Sequence, residues 1–383
     1  MWDFYTKAGF TQDPHEKSLW VRGLGTKDQV MVVNFVDDII IAANTPAAHK
    51  RFDAELTARW DNCDVAPPSY ILGCDVIQTK NHIRLTAKSK IQELISDLKM
   101  ETMATKNTPF QPGTNVDVLD CPVPEKRIKL PFRSVLGKLQ YIQYACRPTI
   151  AHNISQLARV QNNPSHEHWK MLIHVLRYLK GTVSAGVEYR VQPEATRNRL
   201  VAYSDSSWAD IPGGMGNAAV VDGRKSTLGH VLMLNGGALT WKAHVSQIVA
   251  LSSAEAELFA TVACAKDICE ARRLMEHVGE PQEPTPTNLW CDSSSVVSIN
   301  SKRNTSSKLR HLEIKWFHCR YLAEAGVIST KKIDGEENIS DLFTKALGET
   351  KFRKFALQLE QGQDNSWTRQ VMSAARAMVG WSV

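Results

Sequence analysis

Paired cysteines are missing: the eight cysteines, at positions 63, 74, 121, 146, 264, 269, 291 and 319, include no C-x-x-C. That spacing suggests neither a zinc site nor a disulfide framework. Long apolar runs are missing too. The longest, Val30 to Ala43, is broken by Asn34, Asp37 and Asp38, and the first thirty residues carry charges throughout without an apolar core. Neither secretion nor membrane insertion is indicated, and a reducing cytoplasmic or nuclear compartment is expected. No internal repeat or low-complexity tract is present. Nor does charge of one sign dominate: +6 over 383 residues permits a polyanionic partner without requiring one. What remains, at 43% hydrophobic and 22% charged, is ordinary globular composition for two or three domains.

Along the chain, Val30 to Val36 and Ile39 to Ala43 form two β-prone runs around Asp37-Asp38, which reads as a hairpin presenting two carboxylates at its turn. A helix-like stretch from Pro46 to Trp60, short apolar segments at Tyr70 to Ile77 and His82 to Leu85, and a helix from Lys88 to Met100 complete a small α+β unit. Residues 108–131 carry Pro109, Pro112, Pro122, Pro124 and Pro131 and read as a linker. Helices follow over Ser134 to Tyr144 and Ile150 to Gln161. Trp169, Leu172, Ile173, Leu176 and Leu179 then recur at core-facing helical spacing before Gly181, a candidate C-terminal cap.

From Asn198 the pattern turns to strands: Leu200 to Tyr203, Leu228 to Met233 and Ala238 to Lys242, a three-strand meander with Gly213, Gly214, Gly236 and Gly237 between them. A long amphipathic helix, Ser253 to Val278, ends at Gly279; a strand, Asn288 to Cys291, leads to a helix beginning at Asp292. Between Ser301 and Ile333, eight basic residues (Lys302, Arg303, Lys308, Arg310, Lys315, Arg320, Lys331, Lys332) face Glu313 and Glu324, an excess of six. Alone such a run is a solvated helix face; beside a nuclease site it favours phosphate contact.

Four carboxylates stand where these elements would let them converge: Asp205 after the first strand of the meander, Glu257 in the first turns of the long helix, Asp292 at a strand end, and Asp341 at the start of a late helix. Singly, each has a duller reading; Asp292 before three serines and Asp341 in Asn338-Ile339-Ser340-Asp341 could each cap a helix. Together they suit phosphodiester cleavage. That reaction needs a positioned water and a clamp on the departing oxygen, which two Mg²⁺ ions about 4 Å apart supply. Mg²⁺, or Mn²⁺ in its place, takes hard oxygen ligands, so three or four carboxylates suffice without His or Cys.

The segments Tyr203-Ser204-Asp205-Ser206-Ser207-Trp208-Ala209-Asp210, Arg224-Lys225-Ser226-Thr227-Leu228-Gly229-His230 and Ala250-Leu251-Ser252-Ser253-Ala254-Glu255-Ala256-Glu257-Leu258 resemble the ribonuclease H of copia-type retrotransposon Pol polyproteins. So do Trp290-Cys291-Asp292, His311-Leu312-Glu313-Ile314-Lys315 and Asn338-Ile339-Ser340-Asp341-Leu342-Phe343-Thr344-Lys345. The resemblance implies that Asp205, Glu257, Asp292 and Asp341 bind the metals. It selects Glu257 over Glu255 by the Ala-Glu-Leu context, and two residues along a helix point to different sides. His311 is a further candidate, with a packed or capping histidine equally open. Lys302, Arg303, Lys308, Arg310 and His311 are the expected nucleic-acid contacts.

Upstream, Phe35-Val36-Asp37-Asp38 resembles the catalytic turn of reverse transcriptases, and Ile71-Leu72-Gly73 the segment after it. Phe132-Arg133-Ser134-Val135-Leu136-Gly137, Arg147-Pro148 and Leu176-Arg177-Tyr178-Leu179-Lys180-Gly181-Thr182 resemble the connecting region of the same polyproteins. Asp37 and Asp38 would approach the polymerase metals. Neither Asp3, Asp13 nor Asp28 replaces the further aspartate such a polymerase uses, so negligible DNA synthesis by this chain alone is expected.

The expected architecture is α/β (α+β): a partial reverse-transcriptase palm over 1–107, a linker over 108–131, a helical thumb or connection over 132–197, a ribonuclease H-like mixed sheet over 198–347 and a helical tail over 348–383. The implied activity is hydrolysis of the RNA strand of RNA/DNA hybrids. The alternatives are a catalytically silent relic that binds nucleic acid, or the C-terminal fragment of an active reverse transcriptase.

Overall fold

The computed structural model describes residues 2–36, 38–60, 65–117, 121, 128–211, 224–301 and 313–362. It is mixed α/β and divides into two units: Met1–Ile71 with Cys269–Thr285, and Leu72–Ile268 with Pro286–Val383. The proline-rich stretch 108–131 falls inside the second unit.

In the first unit, α1 (Trp2–Lys7) precedes an antiparallel sheet in the order β1 (Thr11–Gln12), β2 (Leu19–Arg22), β3 (Val30–Phe35), β4 (Asp38–Ala43). The β3–β4 hairpin pairs Phe35 with Asp38, and Val36 takes a φ of 54° at its turn. Asp38 is exposed; Asp37 lies outside the described residues. α2 (Pro46–Arg59) starts where Thr45 accepts a hydrogen bond from the Ala48 amide (3.2 Å), with Pro46 supplying a first-turn φ and no orphan N–H. Phe52 and Leu56 of α2 pack with Tyr5, Phe10, Trp20, Val30 and Val32. β5 (Tyr70–Ile71) closes the first stretch of this unit.

The second unit begins with β6 (Cys74–Gln78), β7 (His82–Thr86) and α3 (Lys88–Asp97), followed by α4 (Phe132–Cys146), a 3₁₀ turn at Pro148–Ile150, α5 (Ala151–Ala158) and α6 (His166–Gly181). Gly181 is still helical and Thr182 is the cap, contrary to the sequence expectation. A Cβ at Gly181 would lie 3.0 Å from Thr105, so packing accounts for this glycine rather than a left-handed turn. Phe110 and Val116 of the expected linker are buried in the helical core, which ties those residues down. β8 (Gly186–Arg190), a strand the sequence reading did not anticipate, pairs antiparallel with β7. Its pattern is masked because Glu188 is a fully buried acid, neutralised by Arg84 (2.6 Å) and Arg190 (2.5 Å).

The sheet that carries Asp205 is five-stranded and mixed, in the order β11, β10, β9, β12, β13. β9 (Leu200–Ser207), β10 (Thr227–Leu234) and β11 (Gly237–Val245) form the expected antiparallel meander, while β12 (Thr287–Cys291) runs parallel to both β9 and β13 (Ile328–Lys332). β13 also escaped the sequence reading; Ile-Ser-Thr-Lys-Lys offers only one apolar residue. α7 (Ser253–His277) follows the meander, and α8 (Ser294–Ser301) and α9 (Glu313–Glu324) make the crossover from β12 to β13. A 3₁₀ turn at Ile339–Phe343 and α10 (Glu349–Leu359) close the described chain. Phe352, Phe355 and Leu359 of α10 join Val231 and Trp241 of the sheet and the helices α4 to α6 in one core, so the beginning of the expected tail is part of the fold. No helix among the described residues is long and apolar enough to cross a membrane.

Candidate metal centre

The meander delivers the first carboxylate. Asp205 sits near the end of β9, in register with Gly229 of β10. A Cβ at Gly229 would fall 2.6 Å from Phe343 Cβ and 2.8 Å from Thr344 Cγ2, so glycine there lets the 339–343 turn lie flat on the sheet. Asn338 fastens that turn: its side-chain amide donates to the Ser204 carbonyl (3.1 Å), and its oxygen accepts from the Ser340 amide. Thr344, just beyond, donates its hydroxyl to Asp205 Oδ2.

The start of α7 sorts its two glutamates. Ser252 accepts from the Glu255 amide (3.2 Å), and the Glu255 carboxylate accepts from the Leu251 amide (2.6 Å), so Glu255 serves the helix terminus. Glu257 faces β9. Ser206 donates both its amide (3.1 Å) and its hydroxyl (2.8 Å) to Glu257 Oε1. The other oxygen, Oε2, is buried and has no hydrogen-bond partner among the described residues. Asp292 follows β12. Ser293, not Asp292, caps α8 by accepting from the Val296 amide (3.4 Å), and Asn338 rather than Asp341 caps the 339–343 turn.

Asp205, Glu257 and Asp292 each bring a carboxylate oxygen within 4.8 Å of the others. Asp341 is held beside them by lysines: Lys345 Nζ lies 2.8 Å from Asp341 Oδ1 and 3.3 Å from Asp205 Oδ2, and Lys351 Nζ lies 2.9 Å from Asp341 Oδ2. Lys332 donates to the Asp292 carbonyl. Sequence reasoning gave Thr344, Lys345 and Lys351 no role, and gave Lys332 only a part in the basic run. Asp341, Thr344 and Lys345 stand at the i, i+3, i+4 spacing that puts side chains on one face of a helical turn, which was the available signal.

Electrostatics follow from burial. Burial first, then the neighbouring Asp341 and Asp292, push Asp205 up to about 7 against the pull of Lys345 and Thr344. Burial and then Asp205 push Glu257 up to about 8 against Ser206. Burial acts on Asp341 too, but Lys345 and Lys351 hold it below the ordinary carboxylate value. Such a cluster resists full ionisation unless positive charge joins it. A hard divalent cation fits: the donors are all carboxylate oxygens, three converge, and one buried oxygen lacks a partner.

Of the expected nucleic-acid contacts, Lys302, Arg303, Lys308, Arg310 and His311 lie outside the described residues, as does the side chain of Lys315. Within the rest of the basic run, Arg320 pairs with Glu324 (3.2 Å) and Lys331 lies over the Trp290 ring at 5.6 Å.

Residues 1–112 match the family described as reverse transcriptase (RNA-dependent DNA polymerase). The chain is 26% identical over 329 residues to the retrovirus-related Pol polyprotein from transposon TNT 1-94 of Nicotiana tabacum, covering 84% of this chain and 24% of that one. It is 25% identical over 360 residues to that from transposon RE1 of Arabidopsis thaliana, covering 93% and 23%. It therefore spans about a quarter of the length of these relatives. Among solved structures, an N-terminal RNase H domain from Mycobacterium tuberculosis is similar at 14% identity and a TM-score of 0.28, covering 42% of this chain and 97% of that one.

Proposed function

The chain belongs to the Pol polyproteins of copia-type retrotransposons, and we propose that its residues 198–347 are a ribonuclease H hydrolysing the RNA strand of RNA/DNA hybrids. In this reading 1–107 belongs to an RNA-directed DNA polymerase, joined through 108–131 and the helical 132–197. The observation that carries the proposal is the convergence of Asp205, Glu257 and Asp292 within 4.8 Å around a buried, unpartnered carboxylate oxygen. Buried acids without cationic or hydrogen-bonding partners are costly, so a constellation of this kind persists where a ligand completes it.

Asp205, Glu257, Asp292 and Asp341 would hold Mg²⁺. When bound, the cation supplies Lewis acidity: it neutralises charge at the phosphate and makes an attacking water acidic enough near neutral pH. The protein's own groups orient the ligands. Thr344 fixes the rotation of the Asp205 carboxylate, and Ser206 occupies Glu257 Oε1, leaving Oε2 for coordination. Asp341 and Asp205 share the Lys345 ammonium, which keeps the fourth acid within reach. Basic residues between Lys302 and Lys332 would grip the phosphate backbone, and the ribose 2′-hydroxyl would distinguish RNA from DNA.

The test is cleavage of a labelled RNA/DNA hybrid by the purified chain with Mg²⁺. Cleavage is expected in the RNA strand alone, lost in Asp205→Asn and Asp292→Asn while hybrid binding is kept. Equal cleavage by these variants would remove the site assignment; silence of a folded wild-type chain would favour the relic.

A further inference from the structure

We propose that Lys345 is a built-in counter-ion that competes with a divalent cation for Asp205 and Asp341 and must leave them when the cation binds. The proposal rests on the metal-site reading above and adds to it a residue acting against binding. Both oxygens of Asp341 are engaged by lysines, Oδ1 by Lys345 at 2.8 Å and Oδ2 by Lys351 at 2.9 Å. A cation ligated by Asp341 must therefore displace or crowd one of them, because an ammonium and a divalent ion on the same oxygens repel.

The two lysines are not equally free to move. Lys351 is also tied to the Glu336 carboxylate (3.0 Å) and the Gly335 carbonyl (3.0 Å), away from the cluster. Lys345 is held by the cluster's own acids, Asp341 and Asp205, and its side chain is 41% exposed, so water can receive the ammonium. Asp205 itself is almost wholly buried. The Lys345 charge beside it offsets the repulsion among acids packed this closely, and a divalent cation offsets it better. Exchange of one cation for the other lets the acids remain in place through folding and loading.

Two measurements on the full chain test this. In calorimetric titration with MgCl₂, Lys345→Met is expected to bind roughly twofold to fivefold more tightly than wild type, the fold-change for removing a partly exposed competing ion pair. Its metal-free melting temperature is expected to fall. In the wild-type chain, brief acetic-anhydride labelling read by mass spectrometry is expected to rise at Lys345, and not at Lys351, when Mg²⁺ is added. That readout needs no variant and decides the matter if Lys345→Met does not fold. If wild type binds Mg²⁺ but Lys345→Met binds equally or more weakly, or if labelling of Lys345 is indifferent to Mg²⁺, the counter-ion role is wrong. If wild type binds no Mg²⁺ at all, the metal-site reading fails first and takes this one with it.

Discussion

Replacing Gly229 with alanine tests whether the fourth acid is positioned by backbone contact. The added Cβ would lie 2.6 Å from Phe343 Cβ, 2.8 Å from Thr344 Cγ2 and 3.1 Å from the Phe343 carbonyl carbon. None of these is the free end of a flexible side chain, so the 339–343 turn must lift off β10. Overpacking of this kind costs about 1–3 kcal/mol. For a unit of this size that corresponds to a melting-temperature drop of about 2–10 °C. The turn carries Asp341 and, just beyond it, Thr344 and Lys345, all aimed at Asp205 on the strand paired with Gly229. A shift of about 1 Å there should lower hybrid cleavage by about a hundredfold. Thermal denaturation and single-turnover cleavage of the same preparation separate the two effects. Wild-type cleavage in a folded Gly229→Ala chain would show that the turn does not position the site, and an unchanged melting temperature would show that the contact is not tight. Gly137→Ala is the control: this exposed glycine of α4 has no atom within 4 Å of the added Cβ, and the change should stabilise by about 0.5–1 kcal/mol.

Glu257→Gln should abolish Mg²⁺-dependent cleavage, whereas Glu255→Gln should retain it and lose about 1 kcal/mol of stability as a weakened helix terminus, read by denaturant melts. Arg147 and Glu360 form a fully buried pair, with Nε and Oε2 2.9 Å apart but not aligned as a hydrogen bond. Arg147→Met should cost about 3–5 kcal/mol by stranding the Glu360 charge, and Glu360→Gln placed on top should recover part of it. Burial lowers His152 to about 4 from the ordinary 6.5, against a hydrogen bond with the Phe343 backbone. The fold thus favours the neutral ring. Stability from this residue is complete above about 6.5 and is lost as pH falls toward about 4, by up to about 3 kcal/mol. A His152→Gln chain whose acid sensitivity over that window equals wild type would refute the assignment.

The helices and the meander were legible because their periodicities are clean. α2, α4, α6 and α7 carry apolar residues at helical spacing with recognisable ends, and β9 to β11 are separated by glycine pairs. β8 and β13 were not legible, for the same physical reason in two forms. In β8 a glutamate occupies a buried position, made tolerable by arginines on the neighbouring strand and on β8 itself, and Gly186 is required because its Cβ would fall 1.9 Å from the Leu85 carbonyl oxygen. In β13 the strand is held between a parallel neighbour and two helices by position rather than by hydrophobicity. Both are tertiary overrides of a local signal.

The proposed site is legible in the sequence as a set of acids and illegible as an electrostatic device. Asp205, Glu257 and Asp292 could be proposed because strand ends and a helix start are where side chains converge, and the Ala-Glu-Leu context of the family resemblance favours Glu257 over Glu255. What single-residue reasoning could not supply is the compensation. Four acids packed together need positive charge, and sequence distance hides that Lys345 also brings it to Asp205 and that Lys351, on a later helix, brings it to Asp341. Thr344 and Lys345 stand in the same short segment as Asp341, so on the proposed reading the segment would encode a ligand, its orienting hydroxyl and its competing cation within one turn. If the lysine were only structural, an arginine or glutamine of similar reach would serve equally in metal titration. If it is an exchangeable counter-ion, Lys345→Gln should bind Mg²⁺ more tightly and Lys345→Arg less tightly, since the guanidinium's planar fork holds two carboxylates better than an ammonium does.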